Sequence, residues 1–464
     1  MLSTQLHPDH SAASFSVKNV DMRPSHELSV TELAAAVRRG DVEPVAAVEV
    51  AFERIDALDP MLNSFIELRA SAPAEARDAG GPLCGVPIAV KDVFVDGGRA
   101  PTAGSRVRPS WLSGTALALS RLRDAGAVII GYTNMHEWSL DVTSTVSAFG
   151  AVHNPWDPSR VAGGSSGGSA AAVSAALVPG AIGTDAGGSI RCPAACCGIV
   201  GFKPTWGLVP TDGYTGDQGP YDHVGPMARS VEDVSLMLSA LAMRPFGTAD
   251  LDGASVVVAR TPFFDEAAED VCALVEDAVA ALARRIGAVQ VVTMRGLEDA
   301  VRGVSDLLAL TASRMSETLE TRGGDLQPST LRMLRWGAAA GGRELAALAA
   351  ARRRVRRRWD TTLAGVDVVL TPTLPATPPP IAKPDVELPA GALSASSAFL
   401  RWNAPMNVAG VPSLSLPCGM TPAGMPVSIT ISGRRGADEL VLAAGVALED
   451  ALDRRYVNQI PAVH

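Results

Sequence analysis

Apolar residues recur along this chain at two spacings, and the alternation between them lays out the elements. From Glu27 to about Leu68 the run ELSVTELAAAVRRGDVEPVAAVEVAFERIDALD repeats near 3.6 residues. This predicts two amphipathic helices, with Ser29 as a cap and Gly40 as a stop. GVPIAVKD, ending at Asp92, is a short apolar run of the buried-strand type. LALSRLRDAGAVIIGYTN reads as a helix, a glycine turn and the strand AVIIGY, one αβ unit. After Pro155 a Gly/Ser loop leads to a helix over Gly168–Leu177 and a short strand over Ala181–Thr184. A second glycine-rich turn, DAGGSIR, follows. SVEDVSLMLSAL opens at Ser230 with the Ser-x-Glu-Asp pattern of a capping box.

Further on, ASVVVAR (254–260) gives a strand, and 264–363 reads mainly as helix with GAVQVVT between helices. VDVVLTPTLPATPPP reads as a strand and then a proline-rich loop. VPSLSLPCG and MPVSITISG give late strands, and ADELVLAAGVALEDALDRR closes the chain as a helix. Strands alternating with helices predict an α/β fold, a mixed, largely parallel central sheet covered by helices on both faces. Residues 1–25 read as a flexible N-terminal arm, 26–80 as a helical flank and 81–464 as one continuous domain.

Composition narrows the function classes. The 464 residues are 47% apolar and 19% charged, which describes a globular chain with a large core. A net charge of −9 sets the surface as a whole against nucleic acid and anionic membranes. No apolar stretch follows the start, so no signal peptide is expected. The longest apolar run, around Ala170–Ile182, is interrupted by Ser174 and Pro179-Gly180 and is too short to span a bilayer. The six cysteines lack paired metal spacing, so no metal site is expected. Reduced cysteines in a cytoplasm are the reading they support. RRRVRRRW, Arg352–Trp359, placed on a helix spreads its charge around most of the surface and reads as a solvated helix.

The candidate chemistry begins with lysine. The chain holds four, Lys18, Lys91, Lys203 and Lys383, against thirty-six arginines. Lys91 ends an apolar strand. A buried lysine can lose its proton where arginine cannot, so Lys91 is either a neutral amine or the ion-pair partner of Asp92. Few histidines are placed to activate a serine; His136 and His223 read as structural hydrogen-bonders. Neither a G-x-S-x-G elbow nor a P-loop occurs. The turn Thr184-Asp185-Ala186-Gly187-Gly188-Ser189 can point consecutive N–H groups at one spot as an oxyanion hole, with Ser189 carrying the attacking oxygen. One such turn alone reads as a tight cap. Two, separated by one helix and one strand, can bring Ser165 and Ser189 together.

GVPIAVKD, NPWDPSRVAGGSSGGSAAAV and GTDAGGSIRCPAACCGIVGFKPTWGLVP together resemble the amidase signature family. The likeness runs from about Pro82 through Arg229 and resumes in TPTLPATPPP and NAPMNVAGVPSLSLPCG. It implies a catalytic triad of Ser189 as nucleophile, Ser165 as a bridging serine in a cis peptide after Gly164, and Lys91 as base. The oxyanion would be held by Ala186, Gly187, Gly188 and Ser189, with Gly164, Asp185 and Arg191 bracing the loops. Met135 and Trp138 lie in a region that lines the acyl pocket of relatives. The resemblance implies no metal or organic cofactor. Its implied partners are a small-molecule amide and water, with no nucleic acid and no membrane, and a homodimer is in keeping with relatives. The implied activity is a free amidase acting on an aryl amide, hydrazide or carbamate. The alternative is the glutaminase (A) subunit of a tRNA-dependent amidotransferase, which resembles the chain in GYTNM, SAFG and NPWD; YDHVGP departs from that subunit's pattern. Specificity loops fall within 300–400 and carry no readable code.

Overall fold

A computed structural model describes residues 23–462 except 217–218, 220, 248, 298–299, 302–304, 455 and 457–458. The expected N-terminal arm therefore lies outside the described residues as far as position 22. An eleven-stranded sheet organises the chain. Its strands in chain order are β1 (Phe65–Leu68), β2 (Pro87–Lys91), β3 (Val128–Thr133), β4 (Gly180–Asp185), β5 (Val200–Lys203) and β6 (His223–Ala228). They continue with β7 (Val256–Thr261), β8 (Gln290–Thr293), β9 (Val368–Pro372), β10 (Ser413–Met420) and β11 (Pro426–Gly433). Across the sheet they lie in the order β1-β3-β2-β4-β6-β5-β10-β11-β9-β7-β8. β3, β2 and β4 pair in parallel, as do β9, β7 and β8. Antiparallel pairs join these blocks through β6, β5, β10 and β11.

Side chains alternate across a strand, so a sheet buried on both faces feeds two cores. Ile88, Val90, Ile129 and Ile182 enter one cluster with Val30, Leu33, Val234 and Leu238. Ala89, Val128, Ile130 and Ala181 enter the other with Val48, Ala51 and the helix residues Ala170–Val173. Helices thus cover both faces, as the alternation of elements anticipates.

The N-terminal helices match the pattern. Val30–Arg39 starts at Ser29 with a complete capping box to Glu32 and stops at Gly40 in the left-handed conformation. The second helix, Pro44–Leu62, ends earlier than the pattern suggested, and Phe65–Leu68 is the edge strand β1 instead. Ser230 caps Val231–Ala242 through Asp233 N, but the Asp233 carboxylate does not complete a box. It accepts from Thr31 N and Thr31 Oγ1, both at 2.8 Å, and ties this helix to the first one.

Candidate active site

The C-terminal ends of β2 and β4, neighbours in the β3-β2-β4 block, place the chemistry. Lys91 is the last residue of β2 and is fully buried. Ser165 lies in the Gly/Ser loop between the strand Asp157–Val161 and the helix Gly167–Ser174, after a cis Gly164–Ser165 peptide. Ser189 stands beyond β4, two residues before the short helix Arg191–Cys197. The loop's glycines are there because nothing larger fits. A Cβ on Gly164 would lie 2.6 Å from Ser144 Oγ and 2.7 Å from Ser144 N. Gly163 has φ +72° with Pro193 Cα 2.7 Å from its would-be Cβ.

Lys91 Nζ lies 2.6 Å from Ser165 Oγ and 2.9 Å from Thr184 Oγ1. The ion pair with Asp92 that the sequence left open does not form. Asp92 accepts instead from Arg99 Nη1 at 2.8 Å and from Thr102 N at 3.0 Å. Among the described residues Lys91 has no carboxylate in contact, and burial pulls its ammonium down to about 7 against the opposing charges of Asp222 and Asp185. Ser166 N donates to Ser189 O at 3.2 Å, fastening the two serine loops together. Ser165, Thr184, Ala186 and Ser189 then line one narrow cavity of about 50 Å³.

The DAGGS turn divides its amides between two tasks. Gly188 N donates to Asp185 Oδ1 at 2.7 Å, so this group, expected among the oxyanion donors, is already used in bracing the loop. The N–H groups of Ala186, Gly187 and Ser189 make no donor bond among the described residues. Asp185 and Arg191 are both fully buried and paired, Nε to Oδ2 at 3.0 Å and Nη2 to Oδ1 at 3.1 Å. Although burial opposes its charge, the Arg191 guanidinium and the bonds it receives hold the Asp185 carboxyl well below the usual range. Ile190 N adds a bond to Oδ2 at 3.2 Å.

Several site residues were not singled out from the sequence. Thr184 shares the lysine. Asn407, on the helix Ala395–Ala409, donates to Asp185 Oδ1 at 2.8 Å and to Asp185 O at 2.9 Å, and accepts from Arg191 at 2.6 Å. Lys203, last residue of β5, is fully buried and donates to the carbonyls of Val411 and Pro204. It also lies 3.3 Å from His223 Nε2. His223 Nδ1 meets the Asp185 carbonyl at 3.0 Å, and a carbonyl can only accept, so Nδ1 carries the proton and Nε2 receives the lysine. Burial holds both Lys203 and His223 well below their ordinary values. The ring of His136 likewise meets a hydroxyl, Nδ1 lying 3.4 Å from Thr143 Oγ1, while its main-chain N–H donates to Ser165 O at 3.1 Å.

Of the two pocket residues expected near Tyr132, one faces the cavity. Trp138 lines it with Leu140, Tyr214, Asp222 and Thr311. Met135 is a correction: it is fully buried in the core cluster that contains Tyr132 and Ile129, and is not on the cavity wall among the described residues. Trp138 and Ser139 hold left-handed φ values of +54° and +60°. Trp138 stacks on Trp111 and packs beneath Ala312, Met315 and Leu334, so helices of the 300–340 region roof the site.

An arrangement of this kind suits a serine hydrolase whose base is a lysine. A family model described as Amidase matches residues 46–442, and the chain belongs to the amidase signature family. The glutamyl-tRNA(Gln) amidotransferase (A) subunit from Chloroflexus aurantiacus is 34% identical, across 92% of this chain and 97% of that protein. Among solved structures, one described as an amidase superposes with TM-score 0.86 at 32% identity, covering 91% of this chain and 99% of its own. The corresponding amidotransferase (A) subunit from Thermotoga maritima gives 0.74 at 27%, covering 93% and 96%.

Proposed function

We propose that this chain hydrolyses an acyl carbon–nitrogen bond through an acyl-enzyme on Ser189. The observation that carries the reading is a buried lysine touching the hydroxyl of Ser165, with hydroxyls and no carboxylate around its amine among the described residues. A neutral Nζ has one lone pair and two N–H bonds. The lone pair accepts the Ser165 proton and one N–H donates to Thr184 Oγ1. As Ser189 Oγ attacks the carbonyl carbon, its proton passes to Ser165 and that of Ser165 to Lys91. The developing oxyanion is held by the N–H groups of Ala186, Gly187 and Ser189. Collapse expels the nitrogen, protonated through Ser165. Water, deprotonated by the same relay, then cleaves the ester and restores Ser189. Every step is carried by side chains and main chain of this protein.

Two substrates fit the reaction. The amidotransferase subunits among the relatives favour glutamine, with the released ammonia delivered to a partner protein. The cavity favours a second reading, a free amidase for a small apolar acyl group. Trp138, Leu140 and Tyr214 form walls, and among the described residues the only charged one in the lining is Asp222, which can pair with a glutamine α-ammonium but leaves the α-carboxylate without a cation. Six unpaired cysteines support a cytoplasmic setting for either. Assay of the purified chain alone against glutamine, anilides, hydrazides and carbamates, with Ser189→Ala as control, separates them. Turnover of anilides but not glutamine supports the free amidase. Glutamine hydrolysis that requires an added partner supports the amidotransferase reading. Activity surviving in Ser189→Ala would remove the acyl-enzyme from both.

A further inference from the structure

Glu137 is fully buried, and the donors to its carboxylate are neutral. Ser105 Oγ reaches Oε1 at 2.6 Å, and Gln327 N reaches Oε2 at 2.9 Å. No ion pair forms with it among the described residues. Burying a carboxylate on neutral donors alone is costly, and an apolar residue of similar size would pack without that cost. The two bonds show what the carboxylate does in return. One stays within the body of the protein, and the other crosses to a residue 190 positions away.

Glu137 stands between two residues of the site. The main-chain N–H of His136 donates to Ser165 O at 3.1 Å, and Trp138 lines the cavity that Ser165 and Ser189 share. Val146 O and Ala103 O fix the same segment by accepting from Glu137 N and Trp138 N, both at 2.8 Å. The Glu137 side chain joins this rigid segment to the roof. Gln327 is the N-cap of the helix Pro328–Ala339, and its own side chain makes no capping bond. Pro328 has no N–H to offer, and the helix dipole favours an anion at this end. The apolar hold on the roof is thin. Ser316–Thr321 buries no residue, and Pro328–Ala339 buries only Thr330, Leu334 and Gly337. Of these, Leu334 packs in the cluster of Trp138, with Leu326 beside it.

We propose that Glu137 is a positioning residue that latches the roof helix onto Trp138 and thereby sets the length of acyl chain admitted on that side of Ser189. The selectivity rests on Ser189 being the acylated residue. With the latch closed, Leu326 and Leu334 hold Trp138 against the site and only a short acyl chain fits beside it. With the latch open, the helix start loses its anion, the roof moves off Trp138 and a longer chain enters. The reacting groups stay where they are, because the His136 N–H holds the Ser165 carbonyl and the Glu137 carboxylate does not. The latch therefore acts on KM and selectivity and leaves kcat for a short acyl group nearly unchanged.

Two variants open the latch from opposite ends. Glu137→Ala removes the acceptor. Gln327→Pro removes the donor alone: Gln327 has φ −63°, which proline shares, and Leu326 before it has ψ 151°, which a following proline allows. The Gln327 carbonyl, which accepts from Leu331 N at 2.9 Å, is kept. Glu137→Gln retains an oxygen for Gln327 N and is the conservative rescue. The readouts are hydrogen–deuterium exchange over 326–339 and hydrolysis of p-nitrophenyl acetate and p-nitrophenyl octanoate by the full chain. In Glu137→Ala and Gln327→Pro, exchange should quicken about tenfold or more. The kcat/KM for octanoate relative to acetate should rise by about tenfold, through KM, with kcat for acetate little changed. Glu137→Gln should stay within about threefold of wild type on both measures. Unchanged exchange in Gln327→Pro, or an equal loss of kcat on both esters, would overturn the proposal even if Glu137→Ala failed to fold. Ester turnover absent from the wild type, or surviving in Ser189→Ala, would count against the acyl-enzyme and with it the selectivity, and exchange would still decide the latch.

Discussion

The proposed reaction depends on a lysine that can be neutral near pH 7, and this has consequences at the level of single residues. Burial draws Lys91 down to about 7, so the neutral, proton-accepting form is lost as the pH falls through that value. The rate constant kcat/KM should therefore drop on the acid side with an apparent pKa near 7, measured as a pH profile on any turned-over amide. A profile flat to pH 5 would contradict a titrating amine. Lys203 is expected to act one step back, through His223 on the Asp185 carbonyl that opens the oxyanion turn. Lys203→Met should lower kcat by about tenfold to a hundredfold with KM little changed. A fall in thermal stability with kcat intact would make Lys203 a packing residue only.

What the sequence showed at this scale was uneven. The positions proposed for the triad stand in contiguous motifs, where the resemblance to the family picks them out. Whether Lys91 pairs with Asp92 is not legible, because the strand ends at Lys91 and only the fold shows Asp92 turning to Arg99 and Thr102. Asn407 and Lys203 reach Asp185 and His223 from 222 and 20 positions away, separations that no local pattern reports.

At the level of elements, long helices with a 3.6 period and caps were readable, as were most strands of the sheet; β1, β5 and β6 were not. β6 carries Gly225 and Pro226, residues that normally argue against a strand. Gly225 is needed because a Cβ there would lie 2.1 Å from Phe202 O on β5. The helix Ala395–Ala409 holds Pro405 inside it and was hidden for the same reason. Two substitutions test the element reading. Ser29→Ala removes the capping box and should cost about 1 kcal/mol of unfolding free energy, seen as a lower denaturant midpoint. Gly164→Ala sets a methyl against Ser144 and should cost about 1–3 kcal/mol while also lowering turnover, since the Ser165 loop must shift. An unaltered midpoint in Gly164→Ala would mean that the loop has slack the contact distances deny.

For the whole molecule, the sheet and its two cores were legible as a class, because alternation of strands and helices leaves few other arrangements. The strand order and the antiparallel joins were not, since these depend on β5, β6, β10 and β11 meeting across long separations. The closing helix Asp438–Ala451 contributes a pH-dependent term to global stability. Burial pushes the Glu449 carboxyl up to about 7, although the Val231 N–H bonded to it at 2.9 Å favours the charged form. A raised carboxyl stabilises the fold fully below its ordinary value of 4.5, and that contribution is lost as the pH rises through about 7. Wild-type Tm should accordingly decline relative to Glu449→Gln between about pH 5 and pH 8. Parallel Tm curves for the two proteins would show that Glu449 does not titrate in this window.

The relay itself is tested most directly by the rate at which a fluorophosphonate labels the protein, followed by intact mass and peptide mapping across a pH series. The account predicts a single adduct on Ser189, formed at a rate that rises through an apparent pKa near 7 and collapses in Lys91→Ala. Labelling at another residue, or a rate on Ser189 indifferent both to pH and to loss of Lys91, would contradict it.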